Sequence, residues 1–449
     1  MPTTGLAEQQ DVYLSSFGRV ESELPGRGTP WLRRLRQEAL ARFGELGFPT
    51  TRLEEWKQTN VVPLVKIPFR LAEDGRAGVT PEAVERATFR EPFCSRLAFV
   101  NGHFCAELSR LAGLPQGVKV SSLRAALEKN EEMLEEHLGR YARFDRQAFV
   151  ALNTAFLQDG AIVEIPRGTV SSTPIHLLYL STAAGEPTVS HPRNLILVEP
   201  DSQVSVIESY FGLGEDVYFT NAVTEIVLGE NSQLEHYKLQ HESEQAFHIA
   251  ALQAHLAANT RFRSHAISLG GALVRNDVNP VLDAEGAECI LNGLYHAANR
   301  QHVDNHTTLD HAQPHGTSRE LYKGILDGQA TAVFHGRIVV RKDAQKTDAI
   351  QRNKNLLLSE RAVIDTKPQL EIYANDVRCT HGATIGQLDR EAVFYLRSRG
   401  IGEDAARNLL IAAFAGEITD EIKAENVREW LAATLTARLF KKAQVQEAI

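Results

Sequence analysis

Val198–Glu208 reads VEPDSQVSVIE: an apolar residue, a tight polar turn, a small residue, then apolar residues in alternation. The phrase returns in degenerate form as LGENSQLEHYK from Leu228, LAANTRFRSHA from Leu256 and LDAEGAECILN from Leu282. Two further copies read LDGQATAVFHG from Leu326 and LSERAVIDTKP from Leu358. The first four starts lie 30, 28 and 26 residues apart, and gaps of 44 and 32 then break the period. A strand and turn recurring at such an interval mark a solenoid, in which each coil buries its apolar face against the next. Coils made only of strands predict a β-helix, and a β-sandwich or cupin barrel is the competing architecture. The repeated turns favour the solenoid.

This pattern runs from Ala161 to about Gly386, and helical periodicity frames it on both sides. In GTPWLRRLRQEALARFGELGFP, Thr29 suits an N-cap and Pro30 the first helical position. Leu32, Leu35, Ala39, Phe43 and Leu46 fall on one face before Gly47 and Pro49 close the helix. A second helical run is expected over 121–140, with SRLAFVNGHFCAEL as a short β insertion before it. DRQAFVALNTAFLQDG supplies the last helix before the β body. After Gly386 come a short helix, a break at Gly400, and a second helix with Ala405, Leu409, Ala413 and Phe414 at helical spacing. A third, amphipathic helix, AENVREWLAATLTARLFKKAQ, carries basic residues near its end, as the helix dipole prefers. The expected class is mainly β: a parallel β-helix core at 159–386 between helical domains at 1–158 and 387–449.

Composition removes several functional classes. A net charge of −9 argues against a nucleic-acid or anionic-membrane binder. Four scattered cysteines (Cys94, Cys105, Cys289, Cys379) with no Cys-x-x-Cys favour neither a disulfide framework nor a closed zinc site. MPTTGLAEQQDVYLSSF has neither a basic start nor an apolar run, and no segment approaches the ~20 apolar residues of a spanning helix. The expectation is a cytoplasmic, reduced protein. There is no Gly-rich phosphate loop, dinucleotide fingerprint or nucleophile elbow. Trp56 in TRLEEWKQTN reads as a packing anchor.

Two stretches carry metal-binding chemistry. In YANDVRCTHGATIG (Tyr373–Gly386), a strand puts Val377, Cys379 and His381 on one face and Arg378 and Thr380 on the other. A thiol and an imidazole are two soft ligands, half a tetrahedral set, so the remainder must come from elsewhere in the fold or from another chain. The competing reading is ordinary packing of Cys379 with a backbone-bonded His381. In YHAANRQHVDNHTTLDHAQPHGTS, His302, Asp304 and His306 alternate and face together on a strand. They read as a polar ladder between coils or, with His311 and His315, as a metal site.

At this point the chain resembles a known family. HVDNHTTLDHAQPHGTSRELYKGILDGQ through IYANDVRCTHGATIGQLDREAVFYLRSRGI is similar to the SufB/SufD family of iron–sulfur cluster assembly proteins. CTHGATIGQLDREAVFYLRSRGI and FPTTRLEEWKQTNV resemble its SufD branch, and ALNTAFLQDGAIVEIPRG resembles the entry into the family's β core. Asn375 departs from the family pattern, where a second Asp is expected, and leaves Cys379 and His381 in place. The resemblance implies a right-handed parallel β-helix flanked by helical domains and a non-enzymatic scaffold role in the SUF complex. It implies pairing with SufB through the β-helix and with the ATPase SufC through the C-terminal helices, around Arg397, Gly400, Ala405, Leu409 and Phe414. Cys379 and His381 match the family's Cys-x-His at the SufB–SufD interface, where cluster formation is proposed. The lone chain is then expected to hold no cofactor stably, with iron or a cluster bound transiently in the complex. A role in iron acquisition, reduced flavin in the complex and homodimerisation of the isolated chain stay open. The rival is an extracellular-type β-helix polysaccharide lyase or hydrolase built on the His302–His315 cluster.

Overall fold

A strand–corner–strand unit with one buried face cannot stand alone, and here the units stack into two parallel sheets that share one interior. The computed structural model describes residues 10–446 except 11–12, 16, 19, 76–78, 90–94 and 183–184, with side chains described as far as Arg438. One sheet has eleven strands and the other ten, and from Arg193–Val198 onward alternate strands of the chain go to alternate sheets. The result is a mainly β chain with a parallel β-solenoid of about seven turns, flanked by helices. Pairing is in register from coil to coil, so that Leu256, Leu282, His311, Val340 and Ile372 form one column.

The corner after each strand of the larger sheet explains the repeated phrase. Asp201, Asn231, Asn259, Gly286, His315 and Lys346 all occupy this corner with positive φ, between 56° and 74°. Asn, Asp and Gly tolerate the left-handed conformation best. Each corner also binds the next: the N–H groups of Asp201, Asn231 and Asn259 donate to the carbonyls of Glu230, Ala258 and Glu285 at 2.9, 2.9 and 3.0 Å. Asn259 Nδ2 to Asn231 Oδ1 and Asn231 Nδ2 to Asp201 Oδ1 continue the stack in side chains.

The broken period has a structural cause. The phrases from Val198, Leu228, Leu256 and Leu282 sit at this corner, whereas those from Leu326 and Leu358 sit at the opposite one, where Leu358 N–H donates to Leu326 O. The true successors of Leu282 begin at His311, Val340 and Ile372; the first lacks the apolar lead, and the first two turn their corners at His315 and Lys346 rather than at Asp, Asn or Gly. The regular spacing therefore never lapsed.

Helices cover the outer faces. Pro30–Leu46 packs Ala39 and Phe43 with Phe149 and Leu152 of Ala148–Ala155, and this layer lies on Phe219, Phe247 and Leu273 of the larger sheet. Thr29 makes no side-chain cap; its hydroxyl donates to Asn130 instead. A buried ion pair bolts the layer down. Arg193 reaches Glu225 at 2.7 Å, and Glu225 accepts from the N–H groups of Gly139, Tyr141 and Ala142, each at 2.9 Å. On the smaller sheet, Ile411, Ala415 and Ile418 of Glu403–Thr419 and Val427, Leu431 and Leu435 of Glu425–Gln446 cover Leu239, Ile267, Leu294 and Ile325.

Two expectations change. The helical run over 121–140 is two helices, Leu123–Lys129 and Glu132–His137, because Asn130 turns left-handed and ends the first. The segment read as a β insertion joins the solenoid: Ser95–Val100 pairs parallel with Ile175–Ser181. Lys119–Ser122 likewise closes the edge of the larger sheet, antiparallel to Ala161–Ile165. Sequence alternation revealed Ser95–Val100 but not that its partner lies 80 residues away in the first coil, and it missed Lys119–Ser122 altogether.

Candidate functional site

The solenoid ends in a coil of different character. Val363–Ile372 pairs with Thr331–Val340, and Arg378–Gly386 with Asp348–Leu357; neither has a second strand partner among the described residues. Their outer edges therefore present unpaired N–H and C=O groups. Side chains that would be sealed one coil earlier are open here, and Ile385 is 52% exposed.

Cys379 and His381 lie on this last strand. Register fixes their direction, because paired residues of parallel strands project from the same face. Cys379 tops the column Cys289, Ser318, Ala349, all of it fully buried. It is itself half-buried and rests on the solenoid core with Val377. Burial pushes its thiol above the usual range, Asp348 adds to this, and the Ala349 N–H opposes it. The thiol is thus protonated at neutral pH until a metal or a cation draws off its proton. His381 is exposed at the mouth and tops a second column, with Gln351 and then Glu320 beneath it. Gln351 Nε2 donates to Glu320 Oε2 at 2.7 Å. Burial pushes the Glu320 carboxyl up to about 7, against the hydrogen bonds of Thr307 and Gln351. Sequence reasoning missed both residues; their signal was the 31- and 30-residue steps from Glu320 to Gln351 to His381. Among the described residues no three His, Cys, Asp or Glu side chains are placed to hold a metal ion, so this pair stands as an incomplete set.

The second candidate cluster is real but differs from a metal site. His302, Asp304 and His306 do share the outward face of His302–His311. Asp304 is fully buried: Arg275 Nη1 lies 2.8 Å from it, His306 Nε2 3.0 Å, and Thr59 Oγ1 donates at 2.5 Å. Burial alone would raise its pKa, but Arg275, His306 and Thr59 hold it well below the usual carboxylate range. The His302 imidazole is lowered by burial and contacts Thr59 Oγ1 at 2.9 Å. Trp56 lies under the Arg275 guanidinium at 3.8 Å and against Phe149, and Arg275 also donates to Glu55 O. The cluster thus clips the 54–59 segment onto the sheet. His311 does not join it: it faces the interior, bonds Ser318 and is lowered to about 4 by burial. His315 sits in the left-handed corner, 3.8 Å from Glu285. The His302–His315 cluster expected of a polysaccharide enzyme is thus not brought together at one site.

The C-terminal helices also differ from expectation. Ala405 and Leu409 face outward, with Leu409 52% exposed, and Phe394 and Tyr395 of Arg390–Ser398 are exposed as well. Phe414 instead belongs to the solenoid side, where Lys323 Nζ lies 4.0 Å above its ring and pairs with Glu417 at 2.6 Å. NLLIAAFAG is apolar all round, so periodicity could not say which stripe turns inward. Arg397 is exposed and pairs with Glu403 at 3.1 Å across the Gly400 link, which has φ 86°.

The fold and site thus define a helix-flanked parallel β-solenoid whose last coil is open over a thiol and an imidazole. Comparison with known proteins places it in a family. Residues 179–414 match the family model described as SUF system FeS cluster assembly, SufBD core domain, and residues 7–177 match the SufBD protein N-terminal region. An iron–sulfur cluster assembly SufBD family protein of Synechocystis is 39% identical, with 90% of each chain covered. The iron–sulfur cluster assembly protein SufD of Escherichia coli is 31% identical over 90% of this chain and 92% of its own. A chloroplastic protein of Arabidopsis thaliana is 32% identical over 70% and 68%. The chain belongs to the SufB/SufD family of iron–sulfur cluster assembly proteins, and within it is SufD-like. Among the described residues no helix is long and apolar enough to cross a membrane.

Proposed function

We propose that this protein is a non-catalytic scaffold subunit of the SUF complex, joined to SufB at the open coil and to SufC through its C-terminal helices. The observation that carries this is the contrast within one solenoid: among the described residues, the ending coil presents two long parallel strand edges beside a half-open Cys379/His381 pair, whereas the other end stops in short antiparallel strands. A partner strand added along Arg378–Gly386 satisfies the edge groups and brings further ligands to the two donors. Iron and sulfide are the cargo of this site, and the isolated chain holds them weakly because it supplies half a ligand set. Cys379→Ala with His381→Ala should abolish cluster assembly by the anaerobically reconstituted complex, read by visible absorbance. Unchanged assembly would falsify the site.

Leu409, Phe394 and Tyr395 are the exposed apolar side chains of the C-terminal helices and are the ones proposed for SufC. Deleting residues 387–449 would be a poor test, because it also strips Ile411, Ile418 and Leu431 from the sheet they cover. Leu409→Asp with Phe394→Asp leaves that packing intact and should lose the ATPase in a pull-down. Retention of the ATPase would overturn the assignment. Cytoplasmic location and the absence of turnover by this chain alone belong to the same reading.

A further inference from the structure

The column beneath His381 contains an acceptor with no donor. Glu320, Gln351 and His381 occupy one register position on three successive strands of the smaller sheet. Gln351 is fully buried, and with its Nε2 on the Glu320 carboxyl its Oε1 is turned away from that carboxyl. That oxygen is buried and has no hydrogen-bond partner. Leaving such an oxygen unpaired is unfavourable, because it loses its hydration with nothing in return. The opposite sheet makes room for the amide: a methyl group on Gly336 would lie 2.4 Å from Gln351 Nε2. One coil further out, roughly 4.8 Å along the sheet, the same column holds the His381 imidazole.

We propose that Gln351, anchored by Glu320, is a positioning residue for His381: its Oε1 accepts one ring N–H and so fixes the imidazole tautomer. The second ring nitrogen then keeps its lone pair and is aimed out of the open end. Metal-ligating histidines commonly donate their other N–H to an acyl oxygen, which sets ring orientation and strengthens the donor. The arrangement suits a ferrous ion arriving from the mouth. It does not depend on the charge of Glu320, since a carboxylate and a carboxylic acid carbonyl both accept from the Gln351 amide. Its use rests on the reading of His381 as a ligand, but its geometry does not.

The test is the ring nitrogen spectrum of the metal-free full chain labelled with ¹⁵N-histidine, with His381 assigned from the signals lost in His381→Gln. The wild type should show one pyrrole-like and one pyridine-like nitrogen, the signature of a single tautomer. Gln351→Leu should move both signals toward their average while the other histidines stay in place. Glu320→Gln should shift them the same way, because the Gln351 amide is then free to flip. The exchanged pair Glu320→Gln with Gln351→Glu keeps one donor and two acceptors in the column and should restore the single tautomer. Tautomeric averaging in the wild type overturns the proposal. So do unchanged signals in Gln351→Leu, or an exchanged pair that folds without restoring the lock. Should Gln351→Leu fail to fold, the exchanged pair decides by itself. A locked tautomer together with normal cluster assembly by His381→Ala would leave the positioning role standing and remove the ligand role.

Discussion

At its N-terminal end the solenoid stops in antiparallel strands, Lys119–Ser122 against Ala161–Ile165 and His103–Phe104 against Ser95–Val100. At its C-terminal end it stops in two ten- and nine-residue strands that continue the parallel register and then present bare edges. The coil geometry is shared, yet one end is shortened, reversed and covered by helices while the other is long, straight and open. Long regular edges invite strand addition, and proteins usually blunt them. Under the proposed function, an end left unblunted above a thiol and an imidazole is the surface at which a partner strand adds.

The sharpest way to break this comparison is to attack what seals the closed end. Glu225→Ala should destabilise the chain by about 3–5 kcal/mol in urea unfolding, because Arg193 is left charged and buried and three backbone donors lose their acceptor. A loss under 1 kcal/mol would mean that the ion pair does not hold the helical layer. Next in size is truncation of an inner residue at each end. Ile175→Ala, fully buried, should cost about 2–5 kcal/mol, and Ile385→Ala, half in solvent, about 0.5 kcal/mol or less in the isolated chain. Equal losses would show that the last coil is as sealed as the first.

Glu320 gives a pH-dependent test just inside the open end. Its carboxyl titrates near 7 when folded and near 4.5 otherwise, so between those values the native chain holds the extra proton. Stability contributed at low pH is then lost as pH rises through about 4.5 to 7, by on the order of 2–3 kcal/mol. Glu320→Gln should flatten this dependence in unfolding at pH 5 and pH 8, and an unaltered slope would place the titration elsewhere. The smallest expected effect is on the site itself. Cys379→Ala with His381→Ala should leave stability within ~0.5 kcal/mol, since both side chains lie at the mouth. A large loss would make them core residues.

Legibility from the sequence followed the local or non-local character of each feature. The Asp201, Asn231, Asn259 and Gly286 corners were visible because each left-handed turn needs a residue type that tolerates it. His315 and Lys346 fill the same corner with residue types that give no such signal, and the apparent period broke there. The alternation that sets Cys379 and His381 on one face was likewise local. In the 403–419 helix, by contrast, Ala405 and Leu409 turn outward while Phe414 turns toward Lys323, a choice made by the sheet beneath.

The amino-acid order determined by itself that the chain coils, where its left-handed corners fall and which strand face carries sulfur and nitrogen. Those properties depend on neighbours one to four positions away, through backbone sterics and side-chain alternation. Only the tertiary structure decided which end stays open, that Asp304 is spent on Thr59 and Arg275, and that Glu320 and Gln351 stand beneath His381. Those pairings join residues 29 to 245 positions apart, and their partners are chosen by register and burial rather than by any local preference.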